Sequence, residues 1–214
     1  MIFLKNLFFL VALCISLSGF SQTFKPSQIK MHWLDKYEIP YTTFSNLKKD
    51  FPDLKFITNA GVLNRSLKPT GLYIENGKMI NPVKFVQNTK VNYGIHPAGI
   101  FYINEAGAHI VAATQHFNHK NVKWAIQGGP MLIINEIINP RTTNTKKAVR
   151  NGVGIKKDGT IYFAIMDATY RELARHFQEQ GCTNAMTLSD GDGEIWGEGD
   201  KKRYHNFGPM ISAE

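Results

Sequence analysis

Short apolar runs separated by turn-forming residues dominate the chain from residue 71 to residue 168. Asn76-Gly77 divides two such runs, and an Asn-Gly pair between apolar runs is the strongest short signal for a β-hairpin. Three further turns of this kind lie at residues 104–107, 135–136 and 158–159. Four hairpins in succession predict a body built largely of antiparallel strands.

Helical periodicity is rarer. Residues 42–53 predict a short helix that begins at Ser45. A second helix is indicated more clearly, because Thr169 and Glu172 form a capping box and Gly181 can end it. Its apolar face consists of Leu173, Ala174 and Phe177. Many strands with few helices predict the α+β class.

The first 21 residues have the pattern of an export signal. Lys5 gives a positive start, residues 7–17 are apolar, and Ser21 offers a small residue for cleavage. The apolar run is shorter than the roughly 20 residues that cross a bilayer, so we expect no stable membrane insertion. No repeat or low-complexity linker interrupts residues 25–214, which predicts one exported domain, periplasmic or secreted.

Composition narrows the choice of partners. The formal net charge is +8, but the cations are scattered and there is neither a basic arm nor zinc-ligand spacing, so we expect no nucleic-acid partner. Removal of the signal with Cys14 leaves Cys182 alone, which excludes an internal disulfide. We expect Cys182 to be buried rather than reactive, because no base is indicated beside it. The sequence leaves the oligomeric state open.

An acidic stretch at Asp190, Asp192 and Glu194 is similar to the middle of an EF-hand loop. That register places Leu188 first and Gly199 last, where calcium ligation needs carboxylates. The histidines have no metal-ligand spacing either, so we predict no metal site and no cofactor. An acidic turn and a catalytic carboxylate at a strand end remain as interpretations of this stretch.

Three other stretches are candidates for a binding site. Residues 127–130, Gln-Gly-Gly-Pro, either present backbone N–H groups to a ligand or form a glycine bulge in a sheet. Residues 58–71 form either an ordinary loop or a functional one. Arg150 stands directly before a strand and either binds a phosphate or carboxylate through two parallel hydrogen bonds or forms a salt bridge at the rim.

Six stretches, taken in order, resemble the phosphodiester glycosidase domain family, which includes the mammalian uncovering enzyme and many exported bacterial proteins. They are MHWLDKYEIPYTTFSNL, ITNAGVLNRSLKPTGLYIENGKMI, NYGIHPAGIFYI, AIQGGPMLII, RNGVGI and YRELARHFQEQGCTNAM. The resemblance implies an exported hydrolase that cleaves a sugar, at its anomeric carbon, from a phosphodiester-linked glycoconjugate of the cell envelope or environment.

The resemblance also implies where the site lies. The family's Asn-x-Gly motif falls on Asn59 and Gly61, and its Arg-Asn-Gly motif falls on residues 150–152. The implied catalytic residues are Asn59, Arg150 and Asp190. The implied substrate-binding residues are Gly61, Thr70, Gln127, Gly128, Gly129, Asn151 and Gly191.

The family's closing Leu-Asp-Gly motif is altered in this chain. An ungapped match places Ser189 on the family's aspartate, whereas one inserted residue restores the pair Asp190-Gly191. A shift of one residue turns a strand side chain to the other face of its sheet. A bulge or turn must therefore absorb the insertion if Asp190 is to face the site.

The chemistry limits what such a site needs. A phosphodiester leaves as a stable anion, which relaxes the demand for the general acid of an ordinary glycosidase. We expect Arg150, with the N–H groups of Gly128 and Gly129, to bind the anion, so that replacing Arg150 by Ala spares stability. Asp190, or Asp167 as second choice, is expected to supply the carboxylate. Two alternatives remain: a non-catalytic glycan- or phosphoglycan-binding protein and an ordinary O-glycosidase.

Overall fold

The computed structural model describes residues 19–86, 94, 96–114, 116–143, 145–189, 193–196 and 208–214. Within these residues fifteen strands form three antiparallel sheets, accompanied by two α-helices and a short 3-10 helix at Pro26–Gln28. The predicted α+β class is confirmed. In the same part of the chain, no helix is both long enough and apolar enough to cross a membrane.

Strands precede, separate and follow the two α-helices along the chain. In chain order the elements are β1 (Phe20–Phe24), β2 (Ile29–His32), α1 (Phe44–Asp50), β3 (Phe56–Asn59), β4 (Tyr73–Glu75), β5 (Lys78–Asn81), β6 (Gly99–Asn104), β7 (Gly107–Ala112), β8 (Val122–Gly128), β9 (Met131–Ile134), β10 (Ile137–Ile138), β11 (Ala148–Lys156), β12 (Ile161–Ala168), α2 (Tyr170–Glu179), β13 (Cys182–Thr187), β14 (Ile195–Trp196) and β15 (Met210–Ala213).

The strands are divided among three sheets. Sheet A has the order β1-β12-β11-β13-β9-β10, sheet B has β14-β3-β15-β2, and sheet C has β5-β4-β8-β6-β7. All four predicted hairpins are present, because β4 pairs with β5, β6 with β7, β9 with β10 and β11 with β12. The antiparallel body predicted from the turns is therefore confirmed.

The main core lies between the inner faces of the three sheets. Its buried members include Phe163 from sheet A, Phe56 and Ile211 from sheet B, and Phe101 and Ile126 from sheet C. Rings of Phe56 and Phe163 lie with centroids 4.9 Å apart, so sheets A and B contact each other directly. Burial of this shared apolar surface, at about 25 cal/mol per Å², is the main force that holds the sheets together.

Helix α2 covers the opposite face of sheet A. Thr169 and Glu172 form the predicted capping box, and Gly181 follows the helix with a φ of +78°. The predicted apolar face of Leu173, Ala174 and Phe177 is buried. Cys182 lies beside this face, where burial raises the pKa of its thiol to about 12, as expected for an unreactive cysteine.

The predicted start of the first helix is wrong by two positions. Thr43, not Ser45, is the N-cap, and its hydroxyl oxygen accepts a hydrogen bond from the Asn46 N–H at 3.1 Å. The backbone of Thr43 is extended, which places its hydroxyl over the first turn, whereas Ser45 is already inside the helix.

The predicted boundary between export signal and mature domain falls inside a strand. β1 begins at Phe20 and pairs with β12 through Phe20 and Ile165. Export, and cleavage after residue 21, stay predictions. The site predictions for Asp190 and Gly191 fall outside the described residues.

Candidate active site

Asn151 is the centre of a buried hydrogen-bond cluster. Its Nδ2 group donates to Thr58 Oγ1 at 2.6 Å, to the Asn59 carbonyl at 2.7 Å and to Asn59 Oδ1 at 2.9 Å. Its Oδ1 accepts a hydrogen bond from the Ser189 hydroxyl at 2.5 Å. All four residues are at most 3% exposed. One amide thus joins the end of β3 to the end of β13.

A fourth segment completes the cluster. The N–H of Glu194 donates to Asn59 Oδ1 at 2.8 Å, and the Thr58 hydroxyl donates to the Glu194 carbonyl at 2.8 Å. Gly193 lies directly on β11, since an added Cβ would come within 2.6 Å of the Asn151 nitrogen. The described residues on both sides of residues 190–192 therefore lie against Asn151.

Strand geometry explains why these residues meet. Along β11, Asn151, Val153 and Ile155 point to one face of sheet A, because side chains alternate between faces and both apolar residues belong to the main core. Asn59 ends β3, and Gly61 then turns the chain with a φ of +70° and donates its N–H to the Leu188 carbonyl at 3.0 Å. The Asn-x-Gly motif thus binds the end of β13.

Arg150 lies on the other face of β11. It is 2% exposed, and its guanidinium stacks on the Tyr170 ring at 4.2 Å. Its Nη1 donates to the carbonyls of Ala168 and Lys146. The expectation that Arg150 binds the anion together with the N–H groups of Gly128 and Gly129, or forms a salt bridge at the rim, is therefore corrected, because Arg150 is buried and strand alternation turns it away from Asn151.

Gln127 and its glycines have structural roles in this arrangement. The buried Gln127 amide accepts from the N–H groups of Leu72 and Lys84, both at 3.0 Å, and donates to the Lys84 carbonyl at 2.8 Å. A Cβ on Gly128 would meet the Thr187 carbonyl at 2.6 Å, so this glycine permits close approach of β8 and β13. Gly129 precedes a cis Pro130. Of the two interpretations of residues 127–130, the structural one, in which a glycine is needed within the sheets, accounts for Gly128.

Two further candidates have defined positions. Thr70 closes the loop after Gly61, since its N–H and hydroxyl both donate to the Val62 carbonyl, at 2.9 and 3.0 Å. Asp167 is exposed and lies on the Asn151 face of sheet A, diagonal to Asn151, whose direct partner is Ile165. Diagonal neighbours of this kind are on the order of 7–8 Å apart.

The ionisable groups of the described residues place limits on the chemistry. Burial lowers the pKa of His32 to about 4, so this imidazole, which lies 2.8 Å from the Ser212 hydroxyl, is neutral at neutral pH. Burial raises the pKa of Glu75, which accepts a hydrogen bond from the Tyr73 hydroxyl at 2.7 Å. Among the described residues, no group of three or more His, Cys, Asp or Glu side chains is arranged to hold a metal ion.

Sequence reasoning identified part of this cluster. It named Asn59, Asn151 and Gly61, which the structure brings together. Thr58 begins the candidate stretch of residues 58–71 but was not singled out, and the contribution of the Glu194 backbone was missed, because no sequence pattern indicates a backbone contact of this kind. The role of Ser189 was within reach, because the ungapped match puts it at the family's aspartate position.

Comparison with known proteins identifies the family of this chain. A family model for phosphodiester glycosidases matches residues 53–194, a range that contains Asn59, Asn151 and Ser189. The chain belongs to the phosphodiester glycosidase family.

Individual relatives extend the comparison. YigE, an uncharacterized protein of Escherichia coli (strain K12), is 32% identical over 143 residues, which cover 64% of this chain and 56% of YigE. The chain therefore spans little more than half the length of that relative. The catalytic domain of zebrafish N-acetylglucosamine-1-phosphodiester alpha-N-acetylglucosaminidase, auto-inhibited by pro-peptide, has a TM-score of 0.64 at 12% identity, covering 94% of this chain and 84% of that chain.

A candidate exported protein of Burkholderia pseudomallei K96243 has the same fold. Its TM-score is 0.57 at 9% identity, over 90% of this chain and 73% of that chain. The likeness to the zebrafish catalytic domain shows that this chain has the fold of that domain. Three stretches that resemble family motifs, and that are far apart in the sequence, meet at Asn151 in this chain.

Proposed function

We propose that the chain is an exported hydrolase that releases a sugar from a phosphodiester-linked glycoconjugate. The observation that carries the proposal is the convergence of Asn59, Asn151 and Ser189, one residue from each of three family motifs, in a single buried cluster. Convergence of candidate residues from separate segments is the geometric requirement that an active site must meet.

The reaction needs few protein groups. Water supplies a hydroxyl group to the anomeric carbon, the bond from that carbon to the phosphate oxygen breaks, and the phosphate leaves with the electron pair as a monoester. Because the leaving group is already a stable anion, one carboxylate that acts as base or nucleophile is the main requirement. Asp190 follows Ser189 directly and remains the proposed carboxylate. Asp167 is the second candidate because it lies on the same face of sheet A as Asn151.

Arg150 has a supporting role in this proposal. Its contacts with Tyr170, Ala168 and Lys146 connect β11 to the end of β12 and to the start of α2. These contacts hold the strand that carries Asn151 in register. Arg150 is therefore a positioning residue in this proposal.

A second function is favoured by one observation. The side chain that meets Asn151 at the end of β13 is a serine, at the position that the ungapped match gives to the family's aspartate. A site with these asparagines and without that carboxylate would bind a phosphoglycan without cleaving it. The binding protein is thus the alternative proposal.

One assay separates the two functions. Mature protein is incubated with α- and β-linked sugar 1-phosphodiesters, free sugar is followed over time, and binding of the same compounds is measured by calorimetry. The hydrolase predicts release from one anomer only, because the carboxylate is fixed on one side of the sugar. If the protein binds either anomer but releases sugar from neither, the hydrolase proposal fails and the binding-protein proposal takes its place.

A further inference from the structure

Two loops at one end of sheet B have the same design. Loop 1, residues 34–40, reads Leu-Asp-Lys-Tyr-Glu-Ile-Pro, and loop 2, residues 63–69, reads Leu-Asn-Arg-Ser-Leu-Lys-Pro. An isolated β-bridge closes each loop by joining its first residue, a leucine, to its last residue, a proline. We call them the twin loops.

The second residue of each twin loop holds its backbone in place. Asp35 Oδ1 accepts hydrogen bonds from the backbone N–H groups two and four residues further on, both at 2.8 Å. Asn64 Oδ1 accepts the corresponding pair at 2.8 and 3.1 Å. The fifth residue of each loop has a positive φ, +63° at Glu38 and +56° at Leu67. The two loops are therefore ordered in the same conformation by the same contacts.

The twin loops lie side by side at the active-site end of the molecule. β2 and β3 flank β15, and the register that aligns His32 with Met210 and Met210 with Asn59 shows that both loops leave sheet B at the same end. The Trp33 indole N–H of one segment donates to the Leu67 carbonyl of the other at 2.8 Å. Loop 2 also begins just after Gly61, which binds the end of β13.

We propose that the twin loops form a binding surface for a glycan chain joined by phosphodiesters, beside the active site. The third residue of each loop is a cation, Lys36 in loop 1 and Arg65 in loop 2, and both are exposed. Tyr37 is 72% exposed and Ile39 is 60% exposed, so loop 1 adds an apolar surface next to the Lys36 ammonium group, which lies 5.0 Å from the Tyr37 ring centroid.

These features fit a polymeric anion better than a small one. The cations of the two loops, Lys36, Arg65 and Lys68, outnumber their acidic residues, Asp35 and Glu38, which fits phosphates along a chain. An exposed tyrosine offers a face on which a sugar ring stacks. The loops are already ordered by the hydrogen bonds that the side chains of Asp35 and Asn64 accept from the backbone. Binding therefore costs less conformational entropy than it would on flexible loops. The proposal rests on the proposed function only in its choice of phosphodiester glycan over other polyanions.

The opposite end of the molecule supplies a matched control. A cavity of about 810 Å³ opens there, and its lining includes Lys25, Lys30 and Lys123. Lys55 lies at the same end, since its N–H donates to the Ala213 carbonyl. Lys30 pairs with Glu214 at 2.6 Å, so Lys25, Lys55 and Lys123 are the better set for removing the same charge far from the twin loops.

Binding is measured with a synthetic glycerol phosphate decamer, a neutral dextran of similar length and a single-stranded DNA decamer, each at two salt concentrations. The triple variant Lys36→Ala, Arg65→Ala, Lys68→Ala is expected to bind the glycerol phosphate decamer at least tenfold more weakly, and the control triple Lys25→Ala, Lys55→Ala, Lys123→Ala less than threefold more weakly. Equal losses in both triples would overturn the proposal, because binding would then follow net charge alone. Equal affinity of wild-type protein for the DNA decamer would overturn it as well.

Asp35, whose side chain holds the backbone of loop 1, gives a second, charge-matched test. Asp35→Asn and Asp35→Ala remove the same charge. Only the asparagine keeps a side-chain oxygen that can accept the two backbone hydrogen bonds, as Asn64 does in loop 2. We expect Asp35→Ala to bind the decamer at least threefold more weakly than Asp35→Asn, with unchanged thermal midpoints. Equal affinities would show that loop order is irrelevant and would contradict the proposed surface. Because these tests measure binding of a polymer that carries no sugar, their failure is distinct from failure of sugar release.

Discussion

The two faces of β11 differ in what neighbouring residues of one motif do. On one face Asn151 holds together atoms from two other segments, Thr58 and Asn59 of β3 and Ser189 after β13. On the other face Arg150 is packed against Tyr170 and donates to backbone carbonyls. The first face joins the stretches that resemble family motifs, and the second anchors sheet A to helix α2.

The contrast shows that a sequence motif is not a site. Arg150 and Asn151 are adjacent in sequence, but side chains on a strand alternate between faces with a period of two. One motif therefore supplies both a residue of the proposed site and a buried cation that packs against Tyr170. Variants of the two residues should separate these roles.

The largest effect on stability is expected from Arg150→Ala. The change removes a buried side chain, its contact with the Tyr170 ring and its hydrogen bonds to backbone carbonyls, so the free energy of unfolding should fall by about 3 kcal/mol. Denaturant unfolding measures the loss. Arg150→Lys should recover only part of it, because a lysine ammonium lacks the planar stack. If Arg150→Ala lost turnover but kept its unfolding midpoint, Arg150 would bind the anion rather than stabilise the fold.

Asn151→Ala should lose less stability and more function. Three buried polar partners would lack their shared amide, which should cost about 2 kcal/mol of unfolding free energy. Displacement of Asn59 and Ser189 should lower turnover roughly 100-fold at a temperature where the variant is still folded. Steady-state sugar release beside an unfolding curve measures both quantities. If the folded variant kept its turnover, the hydrogen-bond cluster would not be needed for the reaction.

Ser189 distinguishes hydrolase from binding protein at a smaller cost. Ser189→Ala removes one buried hydrogen bond and should cost about 1 kcal/mol while keeping most turnover, because Asp190 carries the reaction in the hydrolase. Ser189→Asp restores the family's residue and should not raise turnover above wild type. If the wild-type protein released no sugar and Ser189→Asp did, the wild-type chain would be the binding protein instead.

Chelation should have the smallest effect. The described residues hold no metal-ligand group, and the acidic stretch lacks both carboxylate ends of an EF-hand loop, so EDTA should change turnover little. The comparison is made before and after dialysis against EDTA. Loss of activity that calcium restores would make Asp190, Asp192 and Glu194 the ligands.

Local patterns predicted the fold well. Asn76-Gly77 and the other turns marked the hairpins, and Thr169 with Glu172 marked the start of α2, because hairpin turns and helix caps depend on nearby residues alone. Resemblance to the family found Asn59 and Asn151. Neither source could assign Arg150 to the helix side, since that requires the register of β11 against the core, nor could they show that the Gln127 amide binds the backbone of Leu72 and Lys84.

The glycine-rich stretch shows the same limit. Gly128 was a candidate for ligand contact, yet its lack of a side chain is explained by the Thr187 carbonyl, which an added Cβ would meet at 2.6 Å. Such an approach between β8 and β13 depends on tertiary packing, which no local pattern encodes. Glycines permit close contacts of either kind, with backbone or with ligand.

The central claim, that Asp190 supplies the catalytic carboxylate, is tested most directly by the turnover and binding of Asp190→Asn. Asp192→Asn and Asp167→Asn are the comparison variants, because each also loses one negative charge. Each variant is incubated with the sugar phosphodiester that wild-type protein cleaves, and sugar release and the dissociation constant are measured together. The account predicts that Asp190→Asn loses release while binding persists within about threefold, and that Asp192→Asn keeps most activity. Normal release by Asp190→Asn would contradict it, and loss in Asp167→Asn instead would move the catalytic carboxylate to β12.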